Sequence, residues 1–89
     1  MAWTIELTST ATRQLAKLDK PLAERVRRFL RDRVAALENP RGIDQKLQGK
    51  TLGEFWRYRV GDYRIITKIE DDRLLVLVIQ IGHRREIYR

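Results

Sequence analysis

Cysteine is absent from this sequence of 89 residues, and histidine occurs only once, as His83. Without cysteine the chain can form neither a disulfide nor a thiolate metal site, and a single histidine cannot build a histidine-based metal cluster. The lack of cysteine also suits a reducing compartment. We therefore expect no metal and no other cofactor.

Long hydrophobic runs are missing as well. No apolar stretch reaches the length that spans a bilayer, and the first residues, MAWTIEL, lack a basic flank before an apolar core. Internal repeats, low-complexity tracts and linkers are not visible either. The sequence thus predicts a soluble cytoplasmic protein without a membrane partner, in which residues 1–89 form a single domain around one small core.

Acidic residues are too few to balance the basic ones. The chain has 19 lysines and arginines against 12 aspartates and glutamates, which gives a net charge of +7 and a pI near 10.4. The excess is greatest in residues 39–69, where seven basic residues stand against three acidic ones. So much positive charge on a small domain favours a polyanionic partner, such as nucleic acid or an acidic protein.

Hydrophobic periodicity predicts an α+β fold. Alternation over residues 3–7 indicates a strand, and apolar stripes at helical spacing indicate helices over 10–18 and about 21–38. Residues 41–53 are typical of a loop, and the run 74–81 is apolar on both faces, as in an interior strand. The expected order is an N-terminal strand, a two-helix hairpin and a three-stranded antiparallel meander. Two helices can cover only one face of a single sheet, which leaves the other face open to a long ligand.

The segment WRYRVGDYRII, residues 56–66, predicts a hairpin with arginines on one face. Arg57 and Arg59 alternate with aromatic and apolar residues, so the strand period places the two arginines on the side away from the core. Gly61-Asp62 is a tight-turn signal, and the returning strand carries Arg64. Three guanidiniums gathered there suit a phosphate, although a solvated charged face would show the same pattern.

The ending GHRREIY, residues 82–88, is the second candidate group. Gly82 permits a sharp change of direction that can bring His83, Arg84 and Tyr88 beside the hairpin. The imidazole of His83 can exchange a proton near neutral pH, and Tyr88 can donate a hydrogen bond or stack on a base. The alternative interpretation is a frayed basic tail.

Other basic residues are weaker candidates. Lys46, Lys50 and Arg85 can add non-specific phosphate contacts to a bound RNA. The second predicted helix also carries a face of arginines between Arg25 and Arg33. That face suits steering of RNA or of an acidic partner, and it equally suits an ordinary solvated surface.

The order and spacing of these segments resemble a RelE-type toxin of the RelE/ParE superfamily along essentially the whole chain. The matching elements are the strand with Trp3, the helix ending at Leu18-Asp19, Asn39-Pro40, Leu47-Gln48-Gly49, the hairpin from Trp56 to Arg64, and the ending from Gly82 to Tyr88. The resemblance implies the RelE-like fold and a small toxin neutralised by a cognate acidic, RelB-like antitoxin. It also implies a nuclease that enters the ribosomal A site and cuts mRNA there without a metal, inhibiting translation. Operator DNA would be contacted through the antitoxin complex.

By this resemblance, a ribose 2′-hydroxyl attacks its own phosphate and leaves a cyclic phosphate and a free 5′-hydroxyl. Arg57, Arg59 and Arg64 match positions that surround the phosphate. Arg84 matches the position of the acid, and Tyr88 matches a tyrosine that orients or stacks on the cut nucleotide.

One departure from the family pattern concerns the base. A well-understood family member has lysines at the places of Arg57 and Arg59, and a lysine among other cations can lose its proton. Arginine hardly can, because its pKa lies above 12. His83 is therefore the better candidate for proton transfer in this chain.

Two other functions are compatible with the same resemblance. The ParE branch shares the fold but binds and poisons DNA gyrase, and it generally lacks this set of cations. An inactive family member would act only with its antitoxin, in repression.

Overall fold

The computed structural model describes residues 3–34, 45–46 and 55–87, and for residues 45–46 the description concerns the backbone. The strands are β1 (Thr4–Leu7), β2 (Gln45–Lys46), β3 (Phe55–Val60), β4 (Tyr63–Glu70) and β5 (Leu75–His83). The helices are α1 (Ser9–Lys17), α2 (Lys20–Arg28), which continues as a π-helical segment over Phe29–Val34, and the short α3 (Arg84–Ile87). Among these residues no helix could span a lipid bilayer.

The five strands form one mixed sheet in the order β1-β5-β4-β3-β2. β3, β4 and β5 make the predicted antiparallel meander, and β5 is an interior strand, as its apolar character on both faces indicated. β1 pairs with β5 in parallel, so the two ends of the described chain meet at one side of the sheet. The predicted α+β fold class is thus confirmed.

One predicted loop was wrong in part. Within the segment 41–53, residues 45–46 form a short strand that pairs antiparallel with Trp56 and Arg57 of β3. Two residues are too few to show a strand period, so no local pattern indicates this pairing. The rest of that segment lies outside the described residues, as does the predicted end of the second helix near residue 38.

Local signals explain where the two longer helices begin. Thr8 caps α1, because its Oγ1 accepts a hydrogen bond from the amide of Ala11 at 3.1 Å. Pro21 lies in the first turn of α2, where a backbone N–H would lack an intrahelical acceptor in any case. The predicted first helix, 10–18, agrees with the observed α1 to within one residue at each end.

The core lies between the helices and one face of the sheet, here called the helix face. Val26 of α2 and Val34 of the π-helical segment are fully buried against Tyr58 and its strand neighbours. The ring of Tyr58 meets Phe29 edge-on, with 5.9 Å between the ring centroids. Trp56, Tyr58 and Val60, which alternate with the arginines of β3, therefore pack under the helices, as predicted.

A β-bulge interrupts the pairing of β4 with β5. Ile66 pairs with Gln80 but Thr67 pairs with Val78, which leaves Ile79 as one extra residue in β5. The bulge is held by α1: Thr8 Oγ1 donates to the carbonyl oxygen of Ile79 at 3.0 Å. Because side chains alternate along a strand, the extra residue reverses which face each later residue of β5 occupies.

The other face of the sheet, here called the far face, carries the arginines of the hairpin. It is not wholly open, because Ile66 and Leu75 are also buried although they alternate with core residues of their strands.

At the end of β5 the chain turns into α3. There Ile87 Cδ1 lies 3.2 Å from the position that a Cβ on Gly82 would occupy. The small residue at position 82 thus lets α3 approach the sheet.

Candidate functional site

The hairpin between β3 and β4 closes through a two-residue turn. Gly61 has a φ of +60°, whereas Asp62, its partner in the turn, does not have a positive φ. Glycine at the first central position with a positive φ is the pattern of a type II′ turn, whose twist matches that of the two strands. The predicted Gly61-Asp62 turn is confirmed, and it fixes the register of the residues on either side.

Arg59 and Arg64 lie directly opposite each other across this hairpin. Like charges in such a cross-strand pair destabilise a sheet by about 0.2–1 kcal/mol. Arg64 is oriented by the turn, because its Nη1 donates to the carbonyl oxygens of Gly61 and Tyr63, both at 3.1 Å. The register therefore places two arginines next to each other on the far face of the hairpin.

Arg84 reaches the same turn from the C-terminal side. Its backbone amide donates to the carbonyl oxygen of Asp62 at 2.8 Å, and its Nε lies 3.9 Å from Asp62 Oδ1. Arg64 pairs with Gly82, two residues before Arg84. The structure thus brings Arg59, Arg64 and Arg84 to one end of the sheet. Arg57 lies two residues before Arg59 on β3 and is half-buried.

His83 occupies the helix face, which the hairpin arginines do not. It pairs with Tyr63, and the two rings meet edge-on with centroids 5.5 Å apart. Both residues line a cavity of about 370 Å³ with Gln14 and Lys17 of α1. Nδ1 of His83 accepts a hydrogen bond from the Arg85 amide at 3.2 Å. This bond ties the imidazole to the first turn of α3.

The remaining predicted residues are only partly placed. Lys46 is in β2 opposite Trp56, Arg85 is exposed on α3, and Lys50 and Tyr88 lie outside the described residues. In the part of the chain that is described, no three carboxylate, imidazole or thiol groups come together to hold a metal ion.

Sequence reasoning missed one contact with the turn. The guanidinium of Arg25, on α2, approaches the hairpin so closely that its Nη1 would lie 3.3 Å from a Cβ on Gly61. The helical period assigned Arg25 only to the outer face of α2. The approach of that face to the hairpin depends on how α2 packs on the sheet, which periodicity does not specify.

Comparison with known proteins defines the class. A family model described as the ParE toxin of the type II toxin–antitoxin system parDE matches residues 5–88. This chain therefore belongs to that family of type II toxin–antitoxin toxins, as the predicted RelE/ParE resemblance implied.

Its relatives include RelE-type toxins. The chain is 30% identical to toxin RelG of Mycobacterium tuberculosis over 89 residues, which cover 100% of this chain and 99% of the relative. It is 29% identical to the mRNA interferase toxin RelE of Escherichia coli over 90 residues, covering 99% and 92% of the two chains.

Solved structures give the same result for the fold. The toxin–antitoxin complex RelBE2 from Mycobacterium tuberculosis contains a chain that superposes with a TM-score of 0.83 at 26% identity, covering 94% of this chain and 93% of that one. The archaeal RelE–RelB complex from Pyrococcus horikoshii gives a TM-score of 0.72 at 26% identity, with coverage of 94% and 97%. The predicted RelE-like fold is confirmed.

Proposed function

We propose that this toxin is an mRNA endonuclease that cuts in the ribosomal A site by attack of a ribose 2′-hydroxyl on its own phosphate, without a metal. The observation that carries the proposal is the opposed pair Arg59 and Arg64, with Arg84 at the same turn. Like charges repel across a strand pair, and a phosphate bound between them would turn that repulsion into attraction. The name of the Escherichia coli relative, an mRNA interferase, supports the same activity.

The chemistry needs positive charge more than it needs a base on the hairpin. The 2′-oxygen forms a bond to phosphorus and its proton passes to water. The bond from phosphorus to the 5′-oxygen breaks, and that oxygen takes up a proton from water. The phosphorane between these steps carries extra negative charge. Guanidiniums of Arg59 and Arg64 would hold the phosphate oxygens and stabilise that charge. Arg84 would donate a hydrogen bond to the leaving 5′-oxygen and stabilise the charge that develops on it. These arginines act as cations and hydrogen-bond donors, because a guanidinium has five N–H donors and no acceptor.

We also propose a cognate, net-acidic antitoxin as the partner. The structures similar to this chain include RelE–RelB complexes. An apolar groove of about 340 Å³, here called the β1 groove, runs beside β1 and is lined by Trp3, Ile5, Leu7, Leu15 and Leu30. Arg27 and Arg31 also line it. A segment with apolar anchors and acidic flanks would complement this groove, and operator DNA would be reached through the complex.

The test is induction of the toxin in growing cells, followed by mapping of mRNA 5′ ends on translating ribosomes. We expect new ends inside coding regions, carrying a 5′-hydroxyl, and none after induction of Arg64→Ala. Intact transcripts in the presence of folded, wild-type toxin would contradict the proposal.

A second candidate is a gyrase poison, and the observation in its favour is the family model itself, which is named for ParE. Purified toxin would then abolish supercoiling by DNA gyrase before protein synthesis fails. If neither supercoiling nor translation were affected, repression with the antitoxin would be the remaining function.

A further inference from the structure

A cavity of about 410 Å³ lies between α2, the π-helical segment and the β3–β4 turn. Four of the residues that line it are arginines: Arg25, Arg28, Arg33 and Arg59. We call it the arginine cavity. Arg59 also pairs with Arg64 across the hairpin, so it belongs both to the lining of this cavity and to the proposed cleavage site.

One of these guanidiniums stacks on an aromatic ring, and a second approaches the turn. Arg33 lies over the ring of Phe29, with 5.9 Å from Cζ to the ring centroid, and that ring is fixed edge-on against buried Tyr58. Arg25 lies against Gly61 of the turn. Side chains that are already oriented lose less conformational entropy when they bind an anion.

The cavity keeps a positive formal charge despite one acidic residue in its lining. Asp32 lines it, but Asp32 Oδ1 accepts a hydrogen bond of 3.0 Å from Nε of Arg31. Arg31 does not line the cavity, so part of the negative charge of Asp32 is neutralised from outside it. The same hydrogen bond raises the pKa of Arg31.

We propose that the arginine cavity is a second phosphate-binding site, which holds the backbone of a single-stranded RNA beyond the phosphate that is cut. The inference rests on the proposed nuclease function and extends it. Guanidiniums match phosphate oxygens in a bidentate manner, and a nucleic acid strand carries a phosphate at every nucleotide. In this proposal one strand occupies the hairpin and the cavity together, with Arg59 between them.

An acidic peptide suits this cavity less well than RNA does. Amphipathic peptides bind through apolar anchors, and the surface that offers them is the β1 groove with its row of apolar side chains. In the arginine cavity the aromatic ring of Phe29 is engaged by Tyr58 and Arg33. The two sites therefore differ in chemistry, one cationic and one apolar.

Adjacent arginines on α2 provide a matched pair of variants. Arg28 lines the arginine cavity, whereas Arg27 lines the β1 groove and pairs with Glu24 at 3.2 Å. Both side chains belong to exposed residues, so Arg28→Gln and Arg27→Gln remove the same charge from the same helix with little effect on folding. Thermal unfolding of each variant checks that point.

The probe is a fluorescein-labelled single-stranded oligoribonucleotide with a 2′-O-methyl group at every position, which cannot be cut through a 2′-hydroxyl. Its affinity for the full chain is measured by anisotropy at several salt concentrations. We expect Arg28→Gln to weaken binding about fivefold or more and to lower the salt slope by about 0.7, the value for one phosphate contact on a single strand. Arg27→Gln should change affinity less than about twofold.

Three results would overturn the proposal. The wild type does not bind the probe, the two variants lose the same affinity for it, or Arg28→Gln loses as much affinity for an oligoglutamate peptide of the same charge as for the probe. The last would mean that the cavity takes acidic peptide as readily as phosphate. Failure of the nuclease function looks different, since the probe would still bind in an Arg28-dependent way while mRNA on ribosomes stayed intact.

Discussion

The backbone amide of Arg84 donates to the carbonyl oxygen of Asp62 at 2.8 Å, and this bond fixes the start of α3 against the turn of the β3–β4 hairpin. The guanidinium of Arg84 stays beside the same residue, with Nε 3.9 Å from Asp62 Oδ1. Nη1 of Arg64 donates a hydrogen bond to the carbonyl oxygen of Gly61, the other residue of the turn. Two arginines that are distant in sequence therefore share one turn.

Replacing Arg64 by alanine should abolish most cleavage. Loss of a cation from the transition state of such a reaction costs about 10²–10³ in rate. Arg64 is half-buried and donates to two carbonyl oxygens, so the free energy of unfolding should fall by no more than about 1–2 kcal/mol. The measurement is the rate of mRNA cutting on purified ribosomes, with urea unfolding alongside.

Arg73→Ala is the matched control for that change. Arg73 is exposed in the turn at the other end of β4 and pairs with Glu70 at 3.4 Å. Its removal changes the net charge equally, so a comparable loss of cutting in both variants would mean that overall charge, and not the hairpin site, supports the activity.

Gly61→Ala should destabilise the hairpin turn. The φ of +60° costs an L-residue about 1–2 kcal/mol, and the new Cβ would lie 3.3 Å from Nη1 of Arg25, which would have to move. Gly61→Asn should cost about as much, because the first position of a type II′ turn is not the left-handed helical conformation that asparagine tolerates. Urea midpoints of the wild type and both variants measure the cost, and a midpoint unchanged by Gly61→Ala would contradict a strained turn.

The apolar residues of β5 should differ in their contribution to stability. Ile81 is 2% exposed in the core, and Ile81→Ala should lower the free energy of unfolding by about 2–5 kcal/mol through the cavity it leaves. Leu77 lies on the far face and is half-buried, so Leu77→Ala should cost about 1 kcal/mol. Chemical denaturation of the two variants measures which one loses more free energy of unfolding. A larger loss at Leu77 would show that the far face is covered.

His83→Gln should reduce cleavage by less than about tenfold, because the imidazole lies on the helix face beside Tyr63 and its Nδ1 is already a hydrogen-bond acceptor. General acid–base catalysis by a side chain contributes about 10²–10⁴ in rate. The pH dependence of cutting is compared for the wild type and the variant. A loss in the upper part of that range, together with a lost inflection near neutral pH, would instead make His83 the proton-transfer group.

Much of the fold could be predicted, because local periodicity is enough to identify single strands, helices and their buried sides. Alternation in residues 56–60 identified the buried side of β3, and the Gly61-Asp62 pair identified the turn. The parallel pairing of β1 with β5 could not be read in the same way. A parallel pair joins segments far apart in sequence, and nothing in either strand alone specifies the partner.

The arginines that oppose each other in the hairpin were determined by the sequence itself, since a two-residue turn fixes the register of Arg59 against Arg64. The position of His83 was decided by tertiary structure. One extra residue at Ile79 reverses the alternation of β5, and the bulge exists because α1 holds it through Thr8 and through Gln14, whose Oε1 accepts from the Ile81 amide at 2.7 Å. Without the bulge, the same alternation would put His83 on the face of Arg64.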